Sequence, residues 1–175
     1  TDVTVINCNI YAIGLTGICD GALYGNSDPY MRGRGYGMYG YECGKEAYQA
    51  VAGYNHNYIN NHVYNTGIRG IHIAGGDRID LDPANHSVIN CEVNNTGRFE
   101  PSWGVAIELM GVGVNVIGST LHDIPFNAMR FATNDSVIEY NDIYNCMNEG
   151  NDMGVLYSSG WDASIEAGTE IRYNY

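Results

Sequence analysis

The chain is 175 residues long, the size of one domain, and its 45% hydrophobic and 16% charged residues exclude a solvated, disordered chain. With 23 Gly and 15 Tyr the composition argues against a protein dominated by helices. The 8 Lys and Arg against 20 Asp and Glu leave a net charge of −12, which excludes the basic footprint of a nucleic-acid binder and opposes anionic lipid. No apolar run reaches the roughly 18 residues that insertion across a membrane requires.

In chain order, the opening Thr1-Asp-Val-Thr-Val-Ile-Asn-Cys8 reads as a strand and lacks the regions of a secretion signal. Any such signal is expected to have been removed or to lie upstream, and the protein is expected to be secreted or held at the cell surface. The strand carries the first copy of a short pattern: an apolar residue, two variable ones, a small polar residue, one variable, then Ile, Val or Leu. Copies follow at Val5-Ile-Asn-Cys8-Asn-Ile10, Tyr58-Ile-Asn-Asn61-His-Val63, Val88-Ile-Asn-Cys91-Glu-Val93, Val116-Ile-Gly-Ser119-Thr-Leu121, Ile138-Glu-Tyr-Asn141-Asp-Ile143 and a shortened Ile171-Arg-Tyr-Asn174-Tyr175, offset by 53, 30, 28, 22 and 33 residues. Between the first two copies lies an excursion over about 21–54, dense in Gly and Tyr, which either hides a degenerate coil or forms a long loop whose Tyr rings stack on sugars.

Each middle copy is followed by a polar turn and a second apolar run: Gly70-Ile-His-Ile73, Val105-Ala-Ile-Glu-Leu109, Ala128-Met-Arg-Phe131 and Val155-Leu-Tyr157. Short strands, Asn and Gly turns and a minimum period of 22 suit an all-β, right-handed parallel β-helix of about five to seven coils, a single domain over 1–175. The fourth motif position (Cys8, Asn61, Cys91, Ser119, Asn141, Asn174) then stacks about 4.8 Å apart as an asparagine ladder interrupted by Cys and Ser. Because the sequence opens inside a strand and stops within a motif copy, it is expected to be a slice of a longer solenoid, open to end-to-end self-association into fibres. The 5 Cys (Cys8, Cys19, Cys43, Cys91, Cys146) show no CxxC spacing, and most are expected to be small buried hydrophobes.

Aligning the second runs places Ile73, Leu109, Phe131 and Tyr157 in one column and His72, Glu108, Arg130 and Leu156 in the next. Alternation puts the two columns on opposite faces, so His72, Glu108 and Arg130 form an outward row, either a substrate groove or a surface ion pair. Glycoside hydrolysis needs two carboxylates flanking one bond. Glu149 and Asp152, in the loop before Val155-Leu-Tyr157, and Asp123, one coil earlier, are the candidates. Asp77, Asp80 and Asp82 offer oxygen donors for Ca²⁺, with a solvated loop as the plainer reading. The 5 His show no HExxH pattern, so no transition metal is expected.

The segments Gly70-Ile-His-Ile-Ala-Gly-Gly-Asp77-Arg78, His122-Asp-Ile-Pro125, Asn134-Asp-Ser-Val-Ile-Glu-Tyr-Asn141, Asp152-Met-Gly-Val-Leu-Tyr157 and Ile171-Arg-Tyr-Asn-Tyr175 resemble bacterial β-helix proteins of the pectate-lyase-like superfamily, glycoside hydrolase family 141 in particular. The resemblance implies Asp152, in Asp-x-Gly-x-x-Tyr, as a catalytic acid whose partner falls beyond Tyr175. Two positions depart from the pattern: Phe126 stands where relatives tend to have His, and Ser158-Ser-Gly-Trp161-Asp162 replaces Gly-Arg-Asp-Trp. The expectation is a glycoside hydrolase, or part of one, acting on a polysaccharide, with Asp152 as general acid or nucleophile and Glu149 and Asp123 as alternates. His72, Glu108, Arg130, Tyr157 and Trp161 would bind substrate. The rivals are a structural or adhesive solenoid without catalysis, and a polysaccharide lyase using a cationic base.

Overall fold

The structure is a computed structural model in which residues 2–20, 49–50, 53–77, 80–158 and 168–175 are described. The first coil contains β1 (Thr4–Ile6), β2 (Asn9–Tyr11) and β3 (Ile18–Asp20), and is followed by the short β4 (Gln49–Ala50). Later coils are β5 (Asn57–Ile59), β6 (His62–Tyr64) and β7 (Ile71–Asp77); β8 (His86–Ile89), β9 (Glu92–Asn94) and β10 (Ile107–Val112); β11 (Val114–Ile117), β12 (Thr120–Ile124) and β13 (Met129–Asn134); and β14 (Val137–Glu139), β15 (Asp142–Cys146) and β16 (Leu156–Ser158), before β17 (Glu170–Arg172). There is no helix among the described residues.

Each strand pairs in parallel with its counterpart in the next coil, giving three walls. The first sheet runs β1-β5-β8-β11-β14-β17, the second β2-β6-β9-β12-β15 and the third β3-β7-β10-β13-β16. The chain is an all-β parallel β-helix. Because side chains alternate, one column per strand points into the lumen: Tyr58, Val88, Val116 and Ile138 in the first sheet, Ile10, Val63, Val93, Leu121 and Ile143 in the second, and Ile73, Leu109 and Phe131 in the third. These columns meet in one core cluster. Each fully buried Val, Leu or Ile contributes roughly 1.5–3 kcal/mol over exposure, which gives the walls their cohesion.

Residues with positive φ turn the corners. Between the first and second sheets stand Asn7, Asn60, Asn90, Gly118, Tyr140 and Tyr173, and between the second and third stand Ala12, Asn65, Asn95, Asp123 and Asn145. Asn and Asp tolerate the left-handed region better than most residues, which explains why the motif is rich in them. Beside the first corner the ladder runs coil to coil. The backbone N–H groups of Cys8, Cys91, Ser119 and Asn141 donate to Asn61 Oδ1, Ser119 Oγ, Asn141 Oδ1 and Asn174 Oδ1 at 3.0, 3.1, 2.8 and 3.0 Å. The Asn61 N–H meets Cys91 Sγ at 3.4 Å, so sulfur takes the acceptor's place in that coil.

Two expectations are corrected. Tyr157 does not share the column of Ile73, Leu109 and Phe131: β16 sets Leu156 beside Met129 and Tyr157 beside Arg130, one residue from the expected alignment. Val155 and Leu156 pack against the core, and a slip of one residue would exchange Leu156 with the phenol, so burial fixes the register. Of the cysteines, Cys91 alone among the described residues is fully buried; Cys8 and Cys19 are exposed, Cys146 is half-buried, and all four are free thiols. Alternation puts Cys19 on the outer face, in register with His72. The Gly- and Tyr-rich stretch 21–48 and Trp161 lie outside the described residues. From the end of the excursion, β4 pairs antiparallel with β7.

Candidate functional site

The outward row of the third sheet is in register as expected, with His72 and Arg130 flanking Glu108. Its exposure differs from that of a groove: His72, Glu108 and Arg130 are 0%, 2% and 4% exposed. Glu108 is the hub of an ionic cluster, with Oε2 2.7 Å from Arg69 Nε and 2.9 Å from His72 Nδ1, and Oε1 3.2 Å from Arg130. The Arg130 guanidinium also lies 5.0 Å from the Trp103 ring centre, and Trp103 packs on Phe126. Burial alone pushes the Glu108 carboxyl upward, but the Arg69 charge, the His72 hydrogen bond and Arg130 overcome it and hold the group down at about 2. Glu108 is therefore a fixed anion with no proton to give at neutral pH. Arg69 was not singled out in the sequence; its one signal is its place among few basic residues, directly before Gly70-Ile-His-Ile73.

An open cleft of about 320 Å³ lies on the loops between the second and third sheets. Its walls include Asn95, Arg98, Asp123, Asn145, Asn148 and Glu149. Two of the three acids expected from the sequence, Asp123 and Glu149, thus line one cavity, whereas Asp152 is not on its wall and stands exposed at φ 57 farther along the Glu149 loop. The Glu149 loop is tied down by its N–H to the Pro125 carbonyl at 2.9 Å. The positive-φ column supplies the other wall: Asn95 Nδ2 donates to Asn65 Oδ1, and Asn145 Nδ2 donates to Asp123 Oδ1.

Asp123 is paired with its neighbour His122, whose Nδ1 lies 2.8 Å from Asp123 Oδ2 and whose Nε2 lies 3.2 Å from Glu92 Oε1. The His122 hydrogen bond, with that of Asn145, draws the Asp123 carboxyl below the usual carboxylate range. For His122, partial burial lowers the imidazole but the two carboxylates outweigh it, so the ring titrates above its ordinary value. A smaller cavity of about 90 Å³, lined in part by the exposed Phe99, shares Arg98 with the cleft. On the outer face of the second sheet, Tyr11 stacks on Tyr64 at 5.1 Å and His122 on Tyr144 at 4.9 Å.

In the Asp77, Asp80 and Asp82 segment, Asp77 and Asp82 exchange backbone hydrogen bonds. Their carboxylates already accept hydrogen bonds, Asp77 Oδ1 from the Asp80 N–H and Asp82 Oδ2 from the Tyr54 hydroxyl. In the lumen, Asp20, His56 and His86 bring their ligand atoms within 4.8 Å of one another. That cluster was missed, although His56 and His86 precede successive motif copies by the same two residues. His56 Nδ1 lies 2.6 Å from Asp20 Oδ2, Tyr58 donates its hydroxyl to the same oxygen, and the His56 backbone N–H donates to His86 Nδ1 at 3.0 Å.

No protein-family model matches the chain, and no curated protein or solved structure is significantly similar to it. The fold and the geometry of the cleft therefore carry the functional reading.

Proposed function

We propose that the protein is a carbohydrate-active enzyme, a glycoside hydrolase that acts on a polysaccharide in the cleft between the second and third sheets. The observation that carries this reading is the placement of Asp123 and Glu149 on the walls of one solvent-open cavity rimmed by asparagine amides. Glycosidic cleavage uses two carboxyl groups on opposite sides of the bond, one ionised and one delivering a proton. The His122 and Asn145 hydrogen bonds favour Asp123 as the ionised member. Glu149 then takes the proton-donor role, and Asp152, three residues along the same loop but off the cleft wall, stands as the alternate. The resemblance to the pectate-lyase-like superfamily and to glycoside hydrolase family 141 agrees with this chemistry, and on this reading the protein is secreted or displayed at the cell surface.

Against the lyase alternative, Arg130, the base singled out for it, is buried against Glu108 and Trp103 away from the cleft wall. The test is incubation of the protein with a panel of plant and microbial polysaccharides, reading reducing ends and unsaturated products separately. Reducing ends without unsaturated products are expected from at least one polymer. Unsaturated products would establish the lyase, and binding without cleavage across the panel would support the adhesive solenoid.

A further inference from the structure

Away from the cleft, the lumen cluster of Asp20, His56 and His86 draws on three successive coils. Asp20 ends β3, His56 stands directly before β5 and His86 opens β8. One ligand atom from each lies within 4.8 Å of the other two, and the two histidines are 6% and 0% exposed. We propose that these three side chains hold a divalent transition-metal ion, Zn²⁺ by ligand class, as a brace between the third sheet and the first. Two imidazoles and one carboxylate form a three-ligand zinc set whose fourth position takes water.

The observation that points to an ion is His86 Nε2, a buried nitrogen without a hydrogen-bond partner among the described residues. His86 Nδ1 accepts the His56 backbone N–H at 3.0 Å, as one rung of a ladder along the first sheet. Two coils on, the Val114 N–H makes the same kind of bond to Ser136 Oγ, so a hydroxyl suffices for a rung and the second imidazole nitrogen has no part in it. With Nδ1 accepting, the neutral ring carries its proton on Nε2, where a buried donor without an acceptor is costly. A cation at Nε2 displaces that proton to solvent and satisfies the nitrogen. A Cβ at Gly75 would stand 2.5 Å from Nε2, so glycine at that position keeps the flank of the nitrogen clear.

Asp20 supplies the negative charge. Its Oδ2 lies 2.6 Å from His56 Nδ1 and accepts the Tyr58 hydroxyl, so the phenol orients the carboxylate as an outer-shell donor does at a metal site. Tetrahedral bonds of roughly 2.0–2.1 Å set ligand atoms about 3.4 Å apart. An ion therefore opens the 2.6 Å contact and draws in the wider separations, turning the two rings, now 4.5 Å apart at 31°, out of their stack toward Asp20. The Asp20 side chain is 15% exposed, which gives the ion its way in. The HExxH pattern describes ligands one helical turn apart, whereas these three meet only when strands stack.

The test is calorimetric titration of chelator-stripped protein with Zn²⁺ at pH 7.5 and at pH 6, with thermal melts alongside. Expected is one saturable site that weakens at the lower pH as protons compete, and a thermal midpoint that rises with Zn²⁺. Affinity should fall at least about tenfold in Asp20→Asn and in His86→Asn, which keeps an acceptor for the His56 N–H, and about tenfold in Tyr58→Phe. The double variant His62→Ala, His122→Ala should bind as wild type does. Independently of any variant's folding, Co²⁺ added to the wild type should shift the His56 and His86 ring resonances in NMR spectra. Absence of saturable binding, wild-type affinity in folded Asp20→Asn, or Co²⁺ shifts confined to His62 and His122 would each overturn the proposal. Turnover of polysaccharide is not measured, so failure here leaves the hydrolase reading to its own test.

Discussion

Asn141 and Asn174, one coil apart, share a single oxygen: the Asn141 backbone N–H and side-chain Nδ2 both donate to Asn174 Oδ1, at 3.0 and 2.9 Å. Asn141 in turn accepts the Ser119 N–H and donates to the Val116 carbonyl, so a fully buried amide is satisfied on every side. Replacing Asn141 by Ala removes the acceptor and strands the buried Ser119 N–H, at a cost of about 1–3 kcal/mol. Chemical denaturation should show that loss, and Asn141→Ser, which keeps an acceptor as Ser119 does, should recover part of it.

Removing Glu108 leaves Arg69 and Arg130 facing each other in a buried site. Glu108→Gln should destabilise the fold by about 3–5 kcal/mol, well above a surface charge change. Because the native carboxyl is held below its unfolded value, its contribution is present above the ordinary Glu range and is lost as pH falls toward about 2. Denaturant midpoints measured from pH 6 down to pH 2 should converge for wild type and variant.

Two histidines titrate in opposite directions. His122 is raised, so its contribution to stability is complete below its unfolded value and disappears as pH rises through its folded value. His86 is lowered, chiefly by burial, so it favours the fold when neutral and opposes it as acid charges the ring. Imidazole resonances followed by NMR in metal-free protein should titrate above the unfolded value for His122 and below it for His86, and exchanging the two would contradict the geometry.

Inside the lumen, Leu109 is fully buried between Ile73 and Phe131. Leu109→Ala should cost roughly 2–5 kcal/mol, while Phe99→Ala, at an exposed position, should leave the thermal midpoint nearly unchanged.

The fold was legible because the repeat is physical: Val88, Val116 and Ile138 recur with small polar residues three positions later, and only stacked coils bury the first set while pairing the second. The alignment of His72, Glu108 and Arg130 was equally readable, since alternation alone sets it. Their burial was not, because Arg69 and Trp103 come from the connecting segments, whose path no short-range pattern specifies. The Tyr157 register failed for a related reason: Phe131 and Tyr157 are both aromatic rings at the end of a short apolar run, and the choice fell to Leu156 filling the core. The lumen cluster escaped because Asp20, His56 and His86 are ordinary in sequence and meet only after three separate coils close. The acids divided likewise, with Asp123 and Glu149 sharing a cleft because one turn column and one loop converge there.

Turnover by Asp123→Asn and Glu149→Gln, on whichever polysaccharide the wild type cleaves, bears most directly on the cleft as the seat of chemistry. Each variant should lose about 10²–10⁴-fold in kcat with its thermal midpoint unchanged. Wild-type turnover in both variants, with Asp152→Asn inactive instead, would move the reaction out of this cleft.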